Sequence, residues 1–269
     1  MNIISSYETV GDYISQANTT KTPEASNKPN KDNWSGTENL EESMKLVRGG
    51  WDGRPDMGKL SKDISSETSA DIATINTEHQ VSGAFVDIGA YLEGVPECMV
   101  EFVDQIEPRV VKLGFNMTTS WAMDNEAFSN RGAVVLAICN RLQVAGYAVQ
   151  ITAYVTARKF KASKHTTSWI VKDSTQPLDE DSLAFWCCHP SAFRRIHFLH
   201  SESMPKDVRN EFGYHSNGGY GTCTKLDSHK EAEDALALDV NIDFSTNYFH
   251  EAVKEYDRLI AKLNERLAS

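Results

Sequence analysis

The sequence predicts a three-layer α/β sandwich preceded by an amino-terminal helical arm. Three observations predict it. The second half runs strand, helix, strand, strand, helix, strand, helix by its hydrophobic periods. Its longest helical stretch, residues 127–145, is apolar almost all round, as a helix buried against a sheet is. A tract of Asn, Thr, Pro, Lys and Ser, residues 17–39, carries almost no apolar side chain and reads as a linker. The chain therefore divides into a flexible or partly helical arm, residues 1–39, and a single α/β domain, residues 40–269.

In the arm, Ile3, Ile4, Tyr7, Val10 and Ile14 mark a short amphipathic helix. After the polar tract, Thr37 stands where a helix cap is wanted and acidic residues fill the first turn. Leu40, Met44 and Val47 form that helix's apolar stripe, and Gly49-Gly50 stop it before Trp51. Residues 61–80 are rich in Ser, Thr and acid, with a further helix expected around Ala70–Ile75. Residues 109–115 read as a strand, residues 147–155 as a strand of period two, and Thr166–Val171 as a short strand. Leu183–His200 reads as helix that Pro190 breaks or kinks. Ala235–Val240 reads as a buried strand, and Phe249, Val253, Tyr256, Ile260, Leu263 and Leu267 mark a last amphipathic helix. Val110–Phe115 and Val149–Val155 are expected to be neighbouring central strands, with Ala127–Ala145 as their crossover, right-handed if they are parallel.

Composition narrows the function without naming it. At 269 residues the chain can bury a core without disulfides or metal. No apolar run approaches the roughly 18 residues of a membrane helix, which excludes a helical membrane span. The first residues hold neither a basic nor an apolar signal region. Five cysteines, an odd number inside apolar segments, read as reduced thiols and point to a cytoplasm. No Gly-x-Ser-x-Gly elbow, His-Glu-x-x-His, kinase signature or P-loop is present, so a non-enzymatic protein without a cofactor is expected. His189, His197 and His200 lie near Cys187 and Cys188, but their spacing matches no zinc pattern and core residues are the better reading.

The local anomaly is charge. The chain carries −11 overall, yet Arg141–Lys172 holds six basic residues and no acid. Within it, Arg158, Lys159, Lys161 and Lys164 interleave with Phe160, His165 and Trp169 at the tip of an expected hairpin. Cations that track phosphates beside rings that stack on bases suit single-stranded nucleic acid. Arg194, Arg195 and Arg209 extend the path, and the Gly-rich piece 213–221 offers Tyr214 and Tyr220. The plainer reading is a solvated hairpin tip over buried aromatics, beside a mobile surface loop. An acidic remainder would confine binding to this groove.

Two resemblances sharpen the expectation. Asn116-Met117-Thr118-Thr119-Ser120 resembles a degraded form of the Asp-x-Ser-x-Ser turn of von Willebrand factor A domains, and the order of elements over residues 108–267 fits that fold. The resemblance implies Asn116, Thr118 and Ser120 as weak candidate ligands of a divalent ion. A hard cation wants a carboxylate where Asn116 has a neutral carbonyl, although Asp124 or Asp239 could compensate. A capped polar turn is the plainer reading, and no bound metal is expected.

Three blocks, Gly36–Trp51, Val86–Cys98 and Arg131-Gly132-Ala133, resemble signatures of a family of phage proteins. We associate with that family the single-stranded-DNA-binding cofactor of a heterodimeric phage RNA polymerase. No functional residue of that cofactor maps onto this chain, so the blocks speak to membership. Where phage single-strand binders carry an acidic tail, Glu251–Ser269 reads as a balanced amphipathic helix. The resemblance implies a phage-encoded single-stranded-DNA-binding protein of the host cytoplasm that assists transcription or replication. Its partners would be single-stranded DNA and phage RNA polymerase or replication proteins, with self-association left open. The alternative is a protein–protein adaptor using the degenerate adhesion face at Asn116, Thr118 and Ser120.

Overall fold

The computed structural model describes residues 2–29, 33–53, 77–102, 110–119, 123–144, 146–159, 163–221, 236–238, 257–262 and 264–265. Among them are the strands β1 (Asn2–Tyr7), β2 (Thr77–Gln80), β3 (Phe85–Val86), β4 (Met99–Phe102), β5 (Val110–Asn116), β6 (Ala148–Lys159), β7 (Ser163–Lys172) and β8 (Leu236–Leu238). The main sheet has the order β1-β7-β6-β5-β8, and β2-β4-β3 form a second, antiparallel sheet. As expected, β5 and β6 are neighbours and the helix Asn125–Val144 connects them; they prove to be parallel, with Val111 opposite Val149 and Leu113 opposite Ile151. β6 turns back into β7 as an antiparallel hairpin, and β8 joins β5 in parallel on its other side. The molecule is thus mixed α/β with a largely parallel sheet. No helix among the described residues is long and apolar enough to cross a membrane.

Alternation decides where the core sits. Val111, Leu113, Phe115, Val149, Ile151, Ala153, Val155 and Trp169 all turn to one face and are buried there. Arg131 from the long helix lies over Phe115, and Tyr13 and Trp186 pack on Trp169, so their helices cover this face. The opposite face carries the exposed Lys112, the half-buried Gln150 and Thr152, and the buried Thr156, Thr166 and Ser168. Gly132 sets how closely two helices of the core approach. A Cβ there would stand 2.2 Å from the Cys187 carbonyl oxygen in the helix Glu180–Cys188.

The structure corrects the reading of the amino-terminal segment. Residues 2–7 form a strand, not a helix, and pair in parallel with β7 from Asn2–Lys164 to Tyr7–Trp169. The helix is the later stretch Val10–Ala17, with the Thr9 hydroxyl oxygen accepting from the Asp12 N–H as cap. The polar tract is not a free linker either. Arg195 donates to the carbonyls of Ser26, Lys28, Thr37 and Glu38 and to the Thr37 hydroxyl, at 2.9–3.0 Å. The buried Glu202 carboxylate accepts from the N–H groups of Glu24 and Ser26 and from the Ser26 hydroxyl. A segment poor in apolar residues is ordered here by charge-assisted hydrogen bonds. Thr37, engaged by Arg195, leaves the cap of the helix Leu40–Gly49 to Asn39.

Several other elements follow the sequence, whereas the sheet β2-β4-β3 and the helices Ile88–Leu92 and Lys206–Phe212 were not expected from it. Leu40, Met44 and Val47 pack on the core, and Gly50 ends their helix at φ 77°. The stretch broken at Pro190 resolves into the helix Glu180–Cys188, a wider π turn Ala192–His197 and the helix Phe198–Glu202. Residues 257–262 are helical, with Leu259 and Ile260 in the core. The helix expected around Ala70–Ile75 lies outside the described residues.

Candidate nucleic-acid interface

Long strands carry the basic hairpin past the main core to a second, smaller apolar cluster of Ala157, Met204, Val208, Phe212 and Tyr214. Arg158 stands directly opposite Lys164, and Lys159 opposite Ser163. Arg158 and Lys164 share the polar face of the sheet, Arg158 exposed and Lys164 half-buried. On the other face the hairpin is fastened to the helix Lys206–Phe212. Lys159 Nζ donates to the Asn210 carbonyl at 3.2 Å, and the Ser163 hydroxyl donates to the Glu211 carboxylate at 2.5 Å. A cation suits the last carbonyls of a helix, so Lys159 is partly committed to holding the hairpin. Phe160 and Lys161 lie outside the described residues.

The Gly-rich piece 213–221 is a folded cover over this end and not a loose loop. Gly213 caps the preceding helix in the left-handed conformation, and Gly221 lies against Ala157 so closely that a Cβ would meet it at 2.8 Å. Tyr214 is buried, its hydroxyl 2.9 Å from His165 Nδ1, and burial pushes that hydroxyl's pKa up. Tyr220 stacks flat on Phe198 at 3.9 Å and donates to Glu202. Neither ring is presented to a ligand. Lys28 Nζ reaches the Ser216 carbonyl, and Glu24, lowered chiefly by the Ser216 N–H it accepts, also feels His215 and Arg209.

Several residues expected at the interface belong to the interior. Trp169 has no exposed surface, stacked on Tyr13 with ring centroids 4.1 Å apart, so it cannot receive a base. His165 is buried and desolvation pushes it down to about 4, which makes it a neutral core residue at pH 7. Arg194 is buried beside Trp34 and Phe128, donating to the Trp34 and Met123 carbonyls, and burial lowers it to about 10. Arg195 is buried on the polar tract. Both arginines lie on a turn packed into the core, where guanidinium groups must find carbonyls and rings of the same chain. What remains of the expected set among the described residues is the hairpin edge, with Arg158 and Lys164 on one face and Lys159, bonded to Asn210, on the other. It has the chemistry to hold phosphates.

The adhesion-like turn is used internally. Asn116 Oδ1 accepts from the Thr118 N–H, and Thr118 Oγ1 accepts from the Thr156 N–H. Arg131 donates to the Met117 and Thr118 carbonyls directly behind the turn, and a guanidinium there repels a divalent ion. Ser120 and Asp239 lie outside the described residues, and no group of three potential metal ligands occurs among those described.

The sequence profile of a family described as a domain of unknown function, DUF7192, matches residues 2–264, nearly the whole length. The chain belongs to the DUF7192 family. No curated protein and no solved structure matches it. The DUF7192 profile begins at Asn2, where β1 begins, so the amino-terminal strand lies inside the matched unit. The anchoring partners Asn210 and Glu211 escaped the sequence reading, because nothing local links them to the hairpin they hold.

Proposed function

We propose that this DUF7192 protein is a non-enzymatic, phage-encoded protein that binds single-stranded DNA along the edge formed by Arg158, Lys159 and Lys164, in service of phage transcription or replication in the host cytoplasm. The observation that carries the reading is the Arg158–Lys164 pair. The two cations stand directly opposite each other across the hairpin, on one face, at a spacing that lets a single strand's backbone meet both. Each phosphate contact made there releases counterions and adds to affinity. The acidic remainder of the chain repels a nucleic-acid backbone elsewhere and confines it to this edge. With His165, Trp169, Tyr214 and Tyr220 engaged internally, phosphate contacts carry the described part of the interface. The phage origin and the polymerase or replication partner rest on the resemblance of the three sequence blocks. The finer fold reading, a degenerate von Willebrand A domain, is supported by the order β7-β6-β5-β8 with β7 antiparallel to β6. The adaptor reading has less support, since Asn116 accepts from the Thr118 N–H within the turn and Thr118 accepts from the Thr156 N–H on β6.

The test is anisotropy of a labelled oligothymidylate over a salt series. The double variant Arg158→Glu/Lys164→Glu should bind at least about tenfold more weakly at low salt, and the slope of log affinity against log salt should shrink by about 0.7 for each lost contact. EDTA should change nothing. An affinity and slope equal to the parent's, in a variant still folded by circular dichroism, would remove this edge from the model of function. Equal affinity for duplex would remove its single-strand character.

A further inference from the structure

The block Val86–Cys98 has no part in the hairpin edge, yet among the described residues it carries the largest cluster of exposed apolar side chains. Its short helix Ile88–Leu92 places Ile88, Tyr91 and Leu92 at i, i+3 and i+4, one face of a helix. That face normally packs on a core. Here Ile88 is 69% exposed, Tyr91 64% and Leu92 78%. Val81 and Phe85 are exposed in the same unit. The presentation is built, not frayed. Asp87 caps the helix by accepting from the Ala90 N–H at 3.1 Å, its other oxygen lies 2.9 Å from His79 Nε2 on β2, and its own N–H donates to the Cys98 carbonyl. His79 is thereby tied to the helix start, and the His79 contact is the main reason that Asp87 titrates below its usual range.

Charge says what can cover this face. Residues 77–102 contain Glu78, Asp87, Glu93, Glu97 and Glu101 and neither lysine nor arginine. An acidic rim repels nucleic acid and anionic lipid, and two copies facing each other would bring the same acids together. We propose that the helix Ile88–Leu92 and the small sheet β2-β4-β3 form a docking site for a basic amphipathic segment of another protein. Apolar side chains of that segment cover Ile88, Tyr91 and Leu92, and its flanking lysines or arginines meet Glu93 and Glu97. A buried apolar centre within a polar rim is the usual anatomy of such an interface. The site is independent of the DNA-binding edge, so either reading can fail without the other.

The probe is a labelled eighteen-residue peptide of leucine and lysine patterned to give one apolar helical face, measured by anisotropy with the full chain at about 0.15 M salt, where exposed charges more than about 8 Å apart are largely screened. Two controls are a peptide with glutamate in place of lysine and one of the same leucine and lysine content without the pattern. The patterned basic peptide should bind, and both controls at least tenfold more weakly. Ile88→Ser/Leu92→Ser should lose about tenfold or more, as removal of central anchors does. Glu93→Gln/Glu97→Gln, which leaves the apolar face intact, should also weaken binding and flatten its salt dependence. Arg158→Glu/Lys164→Glu should leave it unchanged. The proposal is overturned if the parent does not bind the patterned peptide, or if either control peptide binds equally well. It is also overturned if sedimentation shows the parent self-associating through this face, with Ile88→Ser/Leu92→Ser restoring the monomer.

Discussion

Arg195 shows how one side chain can order a stretch of chain that its own composition leaves unordered. Its guanidinium donates to four carbonyls and a hydroxyl, all from residues 26–38, while it sits buried in the π turn Ala192–His197. The planar fork matches acceptors fixed on either side, which a lysine ammonium cannot do. Arg195→Lys should therefore lower stability by at least about 2 kcal/mol, since hydrogen bonds to a charged group contribute roughly 1.5–3 kcal/mol each. Urea unfolding followed by circular dichroism checks this, and a midpoint within error of the parent's would show that the tract is not held there. The same residue explains a sequence block. Gly36 lies at φ 74° against Pro190, Thr37 takes Arg195 Nε, and Trp51 donates its N–H to the Asp181 carbonyl. The Gly36–Trp51 block is a clamp between an early helix and a late one. Arg131-Gly132 is likewise structural, a cation behind the β5 turn followed by a glycine at a helix crossing.

At the scale of elements, the central strands and their helix were legible because each carries its own period. Val111, Leu113 and Phe115 alternate, as do Val149, Ile151 and Ala153, and the turn at Gly146 separates helix from strand. β1 was misread because Ile3, Ile4, Tyr7, Val10 and Ile14 satisfy a helical period as well as a strand followed by a helix. The decision lay in β7, whose edge β1 completes. Deleting residues 2–7 tests the difference. Loss of a flexible arm would move stability by under about 0.5 kcal/mol. Loss of β1 strips the parallel ladder with β7, the Ser5–His165 contact and the Tyr7–His200 contact of 2.8 Å, and the melting temperature should fall by about 10 °C or more. An unchanged melting curve would return the segment to the status of an arm.

Four histidines of the described chain, His165, His189, His197 and His200, are buried together with the core and held neutral there. Burial pushes His165 and His189 down to about 4 and His200 to about 3, and His197 well below its usual value. His197 lies 2.9 Å from the Tyr13 hydroxyl and 3.3 Å from Ser201, inside a stack of Trp169, Tyr13 and His200. Each of these groups takes up a proton near pH 6.5 once the chain unfolds but not while it is folded. Unfolding therefore binds protons below pH 6.5, and stability falls as pH drops through that value. Each histidine contributes up to roughly 1.4 kcal/mol per pH unit until its folded pKa is reached. Denaturant midpoints should be nearly flat from pH 8 to 7 and decline steeply between pH 6 and 4.5. A midpoint that holds steady down to pH 5 would mean that these histidines are charged or exposed.

Sequence alone determined the elements whose hydrophobic period is local: β5, the helix after it, β6, β7 and the helix broken at Pro190. It determined equally the concentration of positive charge between Arg141 and Lys172, because charge is a property of the residues themselves. Exposure is not such a property. Whether Trp169, Tyr214 or Arg194 meets solvent depended on Tyr13, His165 and Trp34, which come from distant parts of the chain. Tertiary packing alone decided that five of the expected binding side chains became core, that a polar tract became a bound strap, and that the apolar face of Ile88–Leu92 stayed outside. In each case the deciding interaction joins segments far apart in sequence, and no local pattern encodes it.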